Sequence, residues 1–88
     1  MKNTNKLIKD LIADSKSEFA IENDMVDMYE QDAADTQKSI DLIKSNKLSE
    51  AAKHIAYLDT CIREGVVIAL AKDLGNDWVA ANLGWEVA

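Results

Sequence analysis

Proline is absent from these 88 residues, cysteine, histidine and phenylalanine occur once each, and glycine three times. A lone Cys61 cannot close an intramolecular disulfide, which excludes a stapled, secreted scaffold. Without proline, nothing stronger than glycine or a capping side chain stops a helix. The longest unbroken apolar run is Val66 to Ala71, far below the roughly 20 residues of a membrane span. The first residues do not read as a secretion signal, because Lys9 and Asp10 interrupt the apolar stretch around Leu7 to Ile12. A reducing cytoplasmic setting is the expectation, with no membrane. Three isolated glycines offer no phosphate-cradling loop. A single domain spanning residues 1–88 is expected, since two would each be too small to hold a core.

Charge is ample but uneven. Ten bases and sixteen acids give a net −6. Residues 1–16 carry +2, residues 17–37 carry −7 with no base, and residues 38–88 carry −1. The acidic balance excludes direct nucleic-acid binding, which needs clustered Lys and Arg. Apolar residues run the other way, 19 in residues 1–50 and 23 in the shorter remainder. The core is therefore expected mainly in the C-terminal half.

Periodicity predicts helices throughout. Asn3, Thr4 and Asn5 are candidate N-caps for a first helix striped by Leu7, Ile8, Leu11 and Ile12. Ser15 or Ser17 can recap after an interruption, or Phe19 can continue the stripe. A second pattern runs through Ile21, Met25, Met28, Tyr29, Ala33, Ile40 and Ile43. Asn46 suits a left-handed stop and Ser49 the next cap. A short helix of small residues follows from Ala51. Asp59-Thr60 then caps a helix in which Ile62, Val66, Ala69, Leu70 and Leu74 form one face and Val67, Ile68 and Ala71 another. A β-strand over Gly65–Ile68 is the rival, but helical spacing continues to Leu74 and no second strand exists to pair with it. Gly75 ends this helix, Asn76-Asp77 starts a last turn from Trp78, and Gly84 ends that. The fold expected is an all-α compact bundle of four to five helices, with a buried central helix near residues 60–74.

Chemistry is hard to assemble. His54 and Cys61 are two turns apart, about 10.5 Å on one helix, too far for a nucleophile–base contact, so a half-buried His and a core Cys are expected. One His and no Glu-x-x-His exclude a di-iron bundle site, and the EF-hand pattern is missing. No catalytic, cofactor-binding or metal residue is assigned, no cofactor is expected, and the chain reads as a non-enzyme.

The acidic ladder of Asp24, Asp27, Glu30, Asp32 and Asp35 is the most unusual feature. It is a solvated face, a ligand for a basic surface, a loose cation binder or a mobile linker. Met28 lies inside it, as part of a core stripe or of an exposed Met-rich strip. Trp85 closes the chain as a lid on the core or an interface anchor, with Val87 and Ala88 behind it.

The stretch His54-Ile55-Ala56-Tyr57-Leu58-Asp59-Thr60-Cys61-Ile62-Arg63-Glu64-Gly65-Val66-Val67, with Asp73-Leu74-Gly75-Asn76-Asp77-Trp78-Val79 and Leu83-Gly84-Trp85, resembles small uncharacterised proteins of tailed phages that infect marine cyanobacteria. The resemblance covers about the last 35 residues. It implies an accessory protein acting in the host cytoplasm and carries over no functional residue. The functional expectation is a non-catalytic protein-interaction module, self-associating as a homodimer or binding a host protein. The alternative is an acidic mimic of nucleic acid that inhibits a DNA- or RNA-binding protein.

Overall fold

A computed structural model describes residues 1–86. It contains six helices: α1 (Lys2–Ser15), α2 (Glu18–Glu22), α3 (Val26–Lys44), α4 (Leu48–Ala56), α5 (Thr60–Leu74) and α6 (Asn76–Leu83). The all-α expectation holds, and the count exceeds five because the acidic region is cut in two. Ser17 makes the first cut. Its Oγ donates to the Asp14 carbonyl at 2.6 Å and accepts the Ala20 N–H at 3.1 Å, capping α2. Asp24 makes the second, with φ 56° in the left-handed region that stops α2. The Met25 N–H then closes back on the Ala20 carbonyl at 2.8 Å. Both turns are local, so α3 starts beside the end of α1. The two helices pack against each other and therefore run antiparallel.

This division turns two expected stripe residues outward. Phe19 and Ile21 sit on the separate five-residue α2, whose only inward side chain is the fully buried Ala20. They are 58% and 66% exposed.

The stop after α3 is the expected one. Asn46 has φ 57°, and the Lys47 N–H reaches the Leu42 carbonyl at 2.9 Å. Helix α4 begins two residues sooner than expected, at Leu48 with Lys47 in the cap position. The Lys47 carbonyl already accepts the Ala51 N–H at 2.9 Å, so Ser49 lies inside the helix rather than capping it. Gly75, at φ 99°, is the single residue between α5 and α6. A side chain there would be strained, although the space is open.

Helix α5 is the centre. It packs against α1, α4 and α6, and α4 bridges α3 and α6. Val66 and Leu70 are fully buried with Ile55 of α4 and Val79 of α6. Burial is not complete around α5, because Ile68 is half exposed beside a small groove shared with Leu7 of α1. Most of the core cluster comes from α4, α5 and α6, with Leu11 and Ala33 added from α1 and α3. Thr36 and Ser39 of α3 are also buried, and each hydroxyl donates to its own helix, to the carbonyls of Asp32 and Asp35. Their polarity is thus satisfied locally.

The N-terminus of α1 is held from a distance. The expected local caps do not form, because the helix already starts at Lys2 and Met1 offers no side-chain bond. Asp73, near the end of α5, caps it instead. Its Oδ1 accepts from the backbone and the side-chain amide of Asn3, each at 2.8 Å. Its Oδ2 accepts the Thr4 N–H at 2.9 Å and the Thr4 hydroxyl at 2.8 Å. Burial alone would push this carboxyl up, but the four bonds outweigh it and hold the pKa down to about 2. The positive end of the α1 dipole favours the same charge.

Asp73→Asn is expected to cost about 1–2 kcal/mol at pH 7, measured by urea denaturation. A carboxyl depressed in the folded state stabilises above its unfolded value and loses that contribution as acid protonates it. The gap between wild type and variant should therefore close between about pH 3.8 and about pH 2. A gap that stays constant through this range would refute the ionised cap.

Candidate functional site

Most residues singled out from sequence lie on α3 or just before it, and helical geometry separates them. Asp24, Asp27 and Glu30 are exposed. Asp32 and Asp35 are half-buried and lie on another side of α3, toward the α4–α5 joint. Burial pushes the Asp32 carboxyl up, with further pressure from the negative charges of Asp35 and Asp59. The ladder is therefore not one continuous anionic face. Among the described residues, no cluster of three His, Cys, Asp or Glu side chains could hold a metal ion.

The Met-rich strip divides as well. Met28 is 45% exposed, whereas Tyr29, one residue on, packs against the core. Met25 and Val26 are half-buried. Trp85 is half-buried and rests on the core cluster, with the Arg63 guanidinium 5.1 Å from its ring centroid. That is a cation–π geometry, and it holds the ring against the core. Val87 and Ala88 lie outside the described residues. Trp78 also packs on the core cluster.

His54 is half-buried, as expected, and its ring has a structural partner. Nε2 lies 2.9 Å from the Asp35 carbonyl oxygen. A carbonyl only accepts, so Nε2 carries the proton and donates, tying α4 to α3. Cys61 corrects the expectation of a core thiol. It is exposed in the first turn of α5, because the apolar face of that helix starts at Ile62. With His54 on α4 and committed to backbone, the two do not form a nucleophile–base pair.

Exposed apolar side chains are more informative. Of the six large ones, Ile12, Phe19, Ile21 and Met28 lie between residues 12 and 28, where the chain turns from α1 through α2 into α3, with Phe19 and Ile21 on opposite sides of α2; Tyr57 and Ile68 lie elsewhere. A shallow groove of about 380 Å³ runs between α1 and α3. Ile8, Ile12 and Lys16 form its α1 wall, and Glu30, Ala33, Ala34 and Gln37 its α3 wall. Sequence periodicity assigned Phe19, Ile21 and Met28 alike to apolar stripes, with an exposed Met-rich strip as the alternative for Met28. The signal for their exposure was the Ser17 cap and the Asp24 stop, which reset the helical phase.

Asp32→Asn is expected to stabilise the protein at pH 7 by roughly 0.5 kcal/mol, by removing a half-buried charge beside two like ones. The penalty in wild type exists only while Asp32 is ionised. The gain should vanish below about pH 3.8, and thermal denaturation of both forms across pH 3 to 7 would check it. A loss of stability at pH 7 would contradict the repulsion. Comparison of the chain with protein-family models, curated proteins and solved structures finds no match, so the functional reading rests on these side chains.

Proposed function

We propose that this chain is a non-catalytic protein-interaction module, docking a second protein chain through apolar surface on its N-terminal three helices. The observation that carries the reading is that four of the six exposed large apolar side chains, Ile12, Phe19, Ile21 and Met28, lie within the short stretch of chain that turns from α1 through α2 into α3. Grouped exposed apolar side chains mark interaction surfaces, whereas scattered ones need no explanation. Exposed carboxylates of Glu18, Glu22, Asp24 and Asp27 lie along this stretch in sequence. They would keep such a surface in solution and discourage wrong partners. A host protein or a second copy of the chain both fit. The phage resemblance would set this activity in the host cytoplasm, and among the described residues no helix is long and apolar enough to cross a membrane.

The acidic nucleic-acid mimic is the second reading. The exposure of five of the seven carboxylates between residues 17 and 37 favours it. The inward placement of Asp32 and Asp35 weighs against it, because a phosphate mimic needs its charges in register on one surface.

The two readings respond oppositely to salt and to mutation. The full chain, immobilised, would be exposed to cyanobacterial lysate and washed at low and at high salt. Two variants would run beside it. One replaces Phe19, Ile21 and Met28 with Ser. The other neutralises Asp24, Asp27, Asp32 and Asp35 to Asn and keeps Glu30. The module reading expects a partner that survives high salt, persists in the neutralised variant and is lost in the serine variant. Capture that salt releases and neutralisation abolishes would replace it with the mimic.

A further inference from the structure

The groove between α1 and α3 has walls that complement each other in both size and charge. The α1 wall supplies the large Ile8 and Ile12 and the base Lys16. The α3 wall supplies the small Ala33 and Ala34 and the acid Glu30. Lys9, seven residues before Lys16, repeats the base along the α1 edge, and Asp41 follows Gln37 by one turn along the α3 edge. Lys16 and Glu30 are both exposed and do not pair with each other, since the ion pair among the described residues is Lys6–Asp10. Ile12, in the α1 wall, is 42% exposed.

We propose that this groove is a self-association surface, covered by a second copy of the chain about a two-fold axis parallel to α1 and α3. The proposal rests on the interaction-module reading and names its partner. That axis lays the α1 wall of one copy on the α3 wall of the other. Ile8 and Ile12 then meet alanines, and Lys16 comes opposite the partner's Glu30. Each contact occurs twice, as in any isologous interface. The four helices, α1 and α3 from each copy, alternate in direction as in an up–down four-helix bundle. The other in-plane axis, across the helices, would set α1 on α1, with Lys against Lys and isoleucine against isoleucine. A foreign basic helix would suit the α3 wall but meet Lys9 and Lys16 on the other. The net charge of −6 per chain opposes association. At physiological salt, charges beyond about 8 Å are largely screened, so contacts across the groove decide.

Sedimentation equilibrium of the full chain at physiological salt tests this. Wild type should approach the mass of two 9.7 kDa chains as concentration rises. Lys16→Glu and Glu30→Lys should each weaken the dimer about tenfold, since each reverses two symmetry-related pairs. The double variant, K16E with E30K, should recover wild-type association, and circular dichroism should show unchanged helix content in all three. Ala34→Glu, which fills the small-residue wall with a charge, should also dissociate the dimer. A wild type that stays monomeric to about millimolar concentration overturns the proposal, as does a dimer indifferent to these changes or a double variant that does not recover. A monomer that still captures a partner through Phe19, Ile21 and Met28 would overturn only the dimer. A dimer lost on charge reversal yet unchanged by the serine variant would sustain this proposal and remove those three side chains from the interaction reading.

Discussion

One carboxylate joins the two ends of this fold. The first turn of any helix leaves backbone N–H groups without partners, and in α1 neither Met1 nor a local side chain accepts them through a cap. Asp73 accepts two of them, and it also accepts from the Asn3 and Thr4 side chains. Everything on the α1 side depends on that placement. With α1 fixed on α5, Leu11 reaches the core cluster and α3 packs along the outer side of α1. The groove between α1 and α3 is shaped by the local turns at Ser17 and Asp24, and the anchor fixes where that hairpin sits on α5.

Much of the architecture was legible in sequence where local chemistry decides. Asn46 stops α3 in a left-handed conformation, Gly75 and Gly84 end α5 and α6, and the spacing from Ile62 to Leu74 makes a helix. The expectation for the start of α1 failed for a nonlocal reason. Asn3 and Thr4 look like caps, yet they donate to a residue some 70 positions away, which no local pattern shows. Ser49 failed because the turn closed by Lys47 and Leu42 started α4 before it.

The candidate site was less legible, because exposure depends on helical phase. Met28 was identifiable, as a methionine among acids. Phe19 and Ile21 were not, since the two short turns at Ser17 and Asp24 rotate them outward. The ladder of carboxylates was visible as composition. Its division into an exposed set and the half-buried Asp32 and Asp35 needed the packing of the α4–α5 joint against α3. Trp85 was balanced between lid and anchor in sequence, and its contacts with the core cluster and with Arg63 come from tertiary packing that no local pattern shows.

The bond from Asp73 to the start of α1 also has a consequence in time. Synthesis proceeds from the N-terminus, so α1 leaves the ribosome long before its capping carboxylate has been added to the chain. Closing a loop of that length costs entropy that grows only slowly with length, but contacts so distant in sequence slow folding. The α1–α3 hairpin can form from near neighbours, whereas its anchorage waits for nearly the whole of α5. The nascent chain thus carries an uncapped first helix, and an open end to its core, until its last quarter is made.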